Sequence, residues 1–459
     1  MVVFGGGSAV AYAAGEIGEP ITDIRVLDNR RTGESTVLSI AGLSINDIFT
    51  EGTLDLARER LNSSGLFADV NVWWEPYKSG VRVDIAVKDK FPWAPVPTAS
   101  WSANNKSVGL VFVHGNLFGR DKQLLIGARL ATVDSGATLA IRDPALFGSW
   151  VFWQLQGSLQ RQVIPEYDPN SLVPIAPLRE THLVMYGLEP AIGVAWFRRV
   201  RTQIAWHLQH VNFDGSDIPA ADATDTTPAT PQIATEAATT GGTDAAARAS
   251  LTFDFRAREF AVSRGMAVSM GVDYASRLVG SDFTYWRAGA SIEQGFRLFK
   301  THNLVLFVSG TAGHNLPFWA ENTAGGPNLR GYLYQEFRGD TQGSGKVEYH
   351  FPIFSIKSLD VRGLAFYDVS AIWFRETPGD IPVKDSGTPP TTYYLRNTPD
   401  MRTFPAAVEQ GFSASRDVHN DVGGGLRFFL RSVAIPLVGF DAGYGIEART
   451  WRFLVVVGA

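Results

Sequence analysis

The segment Gly325-Gly326-Pro327-Asn328-Leu329-Arg330-Gly331-Tyr332 sets one guanidinium at the tip of a glycine-rich loop, with carboxylates downstream at Glu348 and Asp368. Arginine meets a carboxylate through two parallel N–H···O bonds, and in a confined space of low dielectric such a pair would hold a loop in place. Glu348 shares an alternating face with Lys346 and His350, opposite Val347, Tyr349 and Phe351. Asp368, within Phe366-Tyr367-Asp368-Val369-Ser370, shares a face with Asp360 and Arg362, opposite Leu359, Val361, Gly363, Ala365, Tyr367 and Val369. Spacing alone leaves two readings open: a loop folded inward onto these acids, or a surface loop with a solvated arginine.

Other chemistry is scarce. Gly343-Ser344-Gly345-Lys346 superficially matches a phosphate loop, but Asp340 and Val347 stand where Gly and Ser/Thr are needed. His207 and His210 are three apart, which on a strand puts them on opposite faces. No metal site and no cofactor is expected. The chain has no Cys, which excludes disulfide scaffolds, thiolate metal sites and cysteine nucleophiles. A net charge of −5 excludes the basic balance of a nucleic-acid binder.

The elements that must position Arg330 and its acids are strands of a particular kind. Beyond Pro92, segments of about ten residues alternate apolar and polar side chains. Val151, Trp153, Leu155, Gly157 and Leu159 oppose Gln154, Gln156, Ser158 and Gln160; Ile204, Trp206 and Leu208 oppose Gln203, His207 and Gln209. The mean hydropathy of −0.02 is then an average over an apolar and a polar face, and the 12 Trp, 13 Tyr and 29 Phe largely serve the apolar one. Sixteen such segments can be counted. Long gaps at 162–178, 215–245, 314–344 and 374–420 each follow an odd-numbered segment, whereas gaps after even-numbered ones are short. Short turns at one end and long loops at the other predict a sixteen-stranded antiparallel transmembrane β-barrel over residues 95–459, in the outer membrane of a bacterium. Residues 215–245, rich in Ala, Thr, Asp and Pro, cannot bury a core.

Residues 21–90 read as a separate α/β domain. A first strand holds Ile21, Ile24, Val26 and Leu27. A helix at 34–41 breaks at Gly42, a second covers 52–63, and a hairpin turns at Lys78-Ser79-Gly80. Residues 1–20 read as the remnant of an export signal or an unstructured tail.

The order strand–helix–helix–strand–strand, with Ser64-Gly65-Leu66-Phe67 leading into a Val-rich strand, resembles a POTRA domain. With one such unit, sixteen strands, Leu329-Arg330-Gly331-Tyr332 in the sixth outer loop and Phe366-x-Asp368 on the next strand but one, residues 21–459 resemble the BamA/TamA family of outer-membrane insertases. Asn116–Arg120 and Gly423–Leu430 share that look. The resemblance implies that Arg330, Gly331 and Tyr332 enter the barrel, that Arg330 meets Asp368 and Glu348, and that Phe366 belongs to the strand motif. Ser370 replaces the last glycine of that motif, the chain has room for one POTRA unit, and it ends Val457-Gly458-Ala459 with Phe453 the nearest outward aromatic.

The function expected is insertion of outer-membrane proteins through a lateral seam between the first and last strands. Pro95 and Pro97 weaken that seam because proline donates nothing to a ladder. The expected partners are unfolded outer-membrane client chains, met by a periplasmic POTRA domain and by the seam, together with outer-membrane lipid and periplasmic accessory proteins; nucleic acid is not one. The alternative is a translocation or secretion pore of the same superfamily. No enzymatic activity is expected.

Overall fold

The computed structural model describes residues 18–167, 174, 177, 179–196, 199–217, 241–259, 261–375, 381–384, 391–394, 411–430 and 436–458. The expected N-terminal tail, through residue 17, and most of the loop expected at 215–245 lie outside them, as do parts of those at 162–178 and 374–420. Two compact units result. One comprises the described residues up to Ala94 with Val113–Leu124 and Ile141–Trp150; the other comprises Pro95–Phe112, Leu125–Ala140 and the described residues from Val151 onward.

In the first unit, β1 (Ile21–Leu27), α1 (Glu34–Ala41), α2 (Glu51–Ser63), β2 (Phe67–Tyr77) and β3 (Gly80–Asp89) follow in chain order. The sheet order is β1-β3-β2, with β1 parallel and β2 antiparallel to the central β3. Gly42 ends α1 in the left-handed conformation at φ +66°, which costs glycine nothing. Thr50 starts α2, its N–H donating to the Thr53 hydroxyl at 3.0 Å. The apolar stripe of α2 then buries Ala57 and Leu61 against Val37, Val81, Val83 and Ile85. In the hairpin it is Lys78, at φ +55°, that takes the left-handed conformation. Gly80 serves close approach instead, since a Cβ there would fall 2.2 Å from the Pro20 carbonyl oxygen. The turn at Asn116–Arg120 belongs to this unit: Asn116 donates to the Thr32 hydroxyl at 2.8 Å, and the Gly33 N–H to the Gly119 carbonyl at 2.9 Å.

The remaining strands are β4 (Trp93–Trp101), β5 (Lys106–Leu117), β6 (Lys122–Ala131), β7 (Asp134–Asp143), β8 (Val151–Glu166), β9 (Arg179–Trp196), β10 (Val200–Asp217), β11 (Gly242–Asp254), the short β12 (Ala257–Glu259), β13 (Val262–Ala275), β14 (Tyr285–Leu298), β15 (His302–His314), β16 (Asn322–Ala324), β17 (Phe337–Gly339), β18 (Thr341–Ile356), β19 (Leu359–Trp373), β20 (Ile381–Lys384), β21 (Thr391–Tyr394), β22 (Val418–Leu430), β23 (Pro436–Gly445) and β24 (Thr450–Val457). Leaving out the short β12, β16, β17, β20 and β21, sixteen strands close into an antiparallel barrel in which β24 pairs with β4. Pairing around a closed ladder satisfies backbone groups that would otherwise face lipid. The alternation works out as expected on the outer face, where Ile204 is 67 % exposed and Trp206, Leu188 and Ile192 are exposed beside it.

Two boundaries differ from the sequence expectation. Long strands such as β8, β10 and β18 continue into stretches expected to be loop, because a strand that rises beyond the bilayer needs hydrogen-bonding partners but no apolar face. The first barrel strand begins at Trp93, ahead of Pro95, so that Pro95 and Pro97 lie inside it. They are tolerated because the β24 ladder meets β4 only at Ala99, Ser100 and Trp101.

Candidate functional site

The barrel register builds the landing surface for the loop between β15 and β18. Lys346 lies opposite Asp368, Asp368 opposite Asp421, and Asp421 opposite Gly445, all on the lumenal face. One row along, Glu348, Phe366, Gly423 and Gly443 align in the same way. Gly443, at the end of that row, and Gly445, at the end of the first, leave a gap in the side-chain layer, and the loop fills it. A Cβ on Gly443 would fall 2.7 Å from the Arg330 carbonyl carbon, and one on Gly331 would fall 2.5 Å from the Gly445 nitrogen.

The loop reaches this gap by a two-stage fold. Its stem forms the small antiparallel pair β16–β17. Its tip then turns at Gly325 and Gly326, both in the left-handed region at φ +120° and +63°. Any side chain on Gly325 would collide with the Leu333 carbonyl. Leu329 is fully buried and Tyr332 nearly so, packed with Ala448 and Phe337.

At the tip, Arg330 donates from Nε and Nη2 to the two oxygens of Asp368 at 2.8 and 2.9 Å. Nη2 also lies 2.8 Å from Glu348 Oε1, and Nη1 3.6 Å from Asp441 Oδ2. The guanidinium lies flat against Phe366, 3.5 Å from the ring centroid. Asp368 is 0 % exposed and Arg330 5 %. The neighbouring residues are held separately: Gly331 N–H donates to Asp421 at 2.8 Å, and the Tyr332 hydroxyl donates to Glu447 and, at 3.2 Å, to the Asn420 carbonyl. Lys346 donates to the Pro327 carbonyl at 3.0 Å.

Thus Arg330, Gly331, Tyr332, Glu348, Phe366 and Asp368 meet in one place. Pro95, Pro97 and Phe453 do not join them: the prolines lie in β4 ahead of its three paired residues, and Phe453 faces outward on β24, opposite Ala442. Sequence reasoning missed Asp421, Asp441, Lys346, Asn420 and Glu447 as loop contacts. The available signal was the glycine content of Gly423–Gly425 and Gly439–Gly445, which leaves the lumenal wall without side chains just where polar residues alternate.

Further along the loop, Glu336 is buried and accepts the Leu333 N–H at 2.6 Å. Burial raises its pKa to about 7, against the opposing pull of that hydrogen bond and of Arg452. A carboxyl whose pKa is higher in the folded than in the unfolded chain favours the folded loop fully below its ordinary value of 4.5, and that contribution fades as the pH rises through about 7. The effect is on the order of 3 kcal/mol. Protection of residues 325–336 from hydrogen exchange should therefore fall between pH 5 and pH 8 in the native chain and stay level in Glu336→Gln; equal profiles would refute the assignment.

A closed sixteen-stranded barrel holding one of its own loops in its lumen defines a class of outer-membrane protein. Within that class the chain belongs to the Omp85 superfamily, whose domain model matches residues 116–428. Among solved structures it is similar to BamA from Haemophilus ducreyi lacking POTRA domains 1–3, with TM-score 0.63 and 14% identity over 95% of this chain and 84% of that one. It is also similar to CdiB from Acinetobacter baumannii, with TM-score 0.60 and 11% identity over 96% and 74%, and to CdiB from Escherichia coli, with TM-score 0.53 and 10% identity over 99% and 92%. At these identities the likeness is one of fold. No curated protein sequence matches the chain.

Proposed function

We propose that this protein assembles other β-barrels into the outer membrane, through a lateral opening between β4 and β24 and with the sixth outer loop locked by Arg330. The observation that carries the reading is the inequality of the ladder. β24 pairs with β23 at eight positions, Val438–Val457 to Gly445–Thr450, but with β4 only through Trp101–Val455, Ser100–Val456 and Ala99–Val457. Elsewhere in the wall β8 and β9 pair at sixteen positions. A junction of three pairs parts more easily than one of eight or sixteen, and its two freed edges present unpaired N–H and C=O groups that a client strand can satisfy.

We read the β1-α1-α2-β2-β3 unit as a POTRA domain on the periplasmic side. β2 is an edge of its sheet and exposes Trp73 and Trp74, an arrangement suited to adding an extended client segment. Unfolded outer-membrane proteins are the clients, outer-membrane lipid receives them, and periplasmic accessory proteins fit the same plan. The activity makes and breaks no covalent bond.

The test is reconstitution of the full chain in liposomes with a urea-unfolded small barrel as client. Folded, protease-resistant client should accumulate in the bilayer several times faster than in empty liposomes. Client recovered inside the liposome lumen instead would favour the secretion-pore alternative, and no acceleration would refute both.

A further inference from the structure

A cavity of about 560 Å³ lies at the end of the barrel that carries the long loops, between the tall β8–β9 hairpin and the short first strands. Its wall straddles the seam. Asn104 comes from the turn that follows β4, and Arg452 from β24 itself. Arg161, Tyr167 and His182 come from the β8–β9 side, and Leu333 from the sixth loop.

The arginines at this cavity differ from others of the barrel. Arg248, Arg287 and Arg427 each meet a carboxylate within 3.0 Å. Among the described residues, Arg452 and the more exposed Arg161 have no hydrogen-bond or ion-pair partner, and the Arg452 Nε is buried and unsatisfied. A buried guanidinium nitrogen without an acceptor is costly, and a ligand oxygen would satisfy it. The acid near Arg452 is Glu336, whose raised pKa leaves it only partly charged near pH 7. Glu180 lines the same cavity and would accept from a ligand hydroxyl or ammonium group. Val133, Val163 and Pro165 supply an apolar flank.

We propose that this cavity binds a phosphate- or carboxylate-bearing ligand with an apolar flank, gripped by Arg452 and Arg161, and that the bound ligand ties β24 to β8 across the first strands and so keeps the seam shut. A planar guanidinium fork suits both oxyanions. The binding stands on the cavity alone, whereas its effect on the seam rests on the lateral-opening reading.

The two parts are tested separately on the full chain in nonionic detergent. Calorimetric titration with inorganic pyrophosphate and with phosphatidic acid in mixed micelles measures binding in the absence of client. At least tenfold weaker binding is expected for Arg452→Gln and for Arg161→Gln, with loss in the double variant. Tighter binding of the lipid would mark a headgroup site that uses the apolar flank; equal binding would mark a site for the free anion. Heat-dependent electrophoretic migration of each variant establishes that its barrel is closed. No binding of either probe by the native chain, or unchanged binding by a closed Arg452→Gln barrel, would overturn the site. For the seam, the bound probe should speed disulfide formation between Ser100→Cys and Val456→Cys at least twofold. Binding without that acceleration would overturn the second part and leave the first standing.

Discussion

Arg330→Ala should abolish client insertion and free the tip of the sixth loop, while the barrel itself stays closed. The replacement removes both hydrogen bonds to Asp368 and the contacts with Glu348 and Asp441 in one step. What remains is a fully buried carboxylate at Asp368, directly across from a second at Asp421. Removing one partner of a buried pair costs about 3–5 kcal/mol, chiefly because the other charge is left without compensation. The loop can escape that cost by withdrawing, which readmits water to the acids. The strands cannot, and they have no reason to, since the β18–β19 and β19–β22 ladders do not involve Arg330.

Withdrawal should stop at the stem. Trp319 donates to Asp244 at 3.0 Å, and Arg287 to the Ala320 carbonyl at 3.4 Å. Phe318 is packed with Ile164, Leu183, Met185, Val211 and Phe213. Limited proteolysis of the variant should therefore cut within 325–336 and spare 318–320. Arg330→Lys keeps a charge but loses the planar fork and its stacking on Phe366, so intermediate activity is expected. A digestion pattern and insertion rate equal to the native chain would show that Arg330 does not lock the loop.

The barrel was legible in the sequence because lipid imposes its rule at every second position. An apolar face of Ile204, Trp206 and Leu208 against Gln203, His207 and Gln209 has few other uses over sixteen segments. Asp368 and Glu348 were legible as inward-facing for a related reason, since strand parity fixes which side chains enter the lumen; that Arg330 would meet them followed from the family resemblance, because spacing alone also allowed a solvated surface loop. Parity says nothing, however, about which strands stand side by side at a given height. That is why Asp421 and Asp441, each on the polar face of its own segment, were not joined to the site. Their place depends on a register set by whole ladders, Asp368 to Asp421 and Gly425 to Asp441. Strand ends were illegible on the outer side for the opposite reason, since above the bilayer the alternation that marked them lapses.

Linking Ser100→Cys to Val456→Cys should reduce insertion to the rate of empty liposomes, and reduction of the disulfide should restore it. The two positions are directly opposed in the β4–β24 ladder, at a separation a disulfide can span. The chain has no native cysteine, so no competing pair can form. A control link between Phe440→Cys and Val455→Cys, also directly opposed but within the β23–β24 ladder, should leave insertion intact. The asymmetry follows from what each junction loses on opening. Parting β24 from β4 breaks three residue pairs, whereas parting it from β23 breaks eight. In hydrocarbon each unsatisfied backbone group costs several kcal/mol, so opening is affordable only where few groups are freed and where a client strand takes their place. The junction ends at one side in the turn after Trp101, where the Ser102 N–H donates to the Asn105 carbonyl at 2.9 Å, and at the other Gly458, at φ +69°, packs so closely on Pro97 that a Cβ there would fall 2.2 Å from the proline carbonyl oxygen. An oxidised Ser100–Val456 link with native insertion rates would mean that clients enter the membrane without this edge, and the lateral route would have to be abandoned.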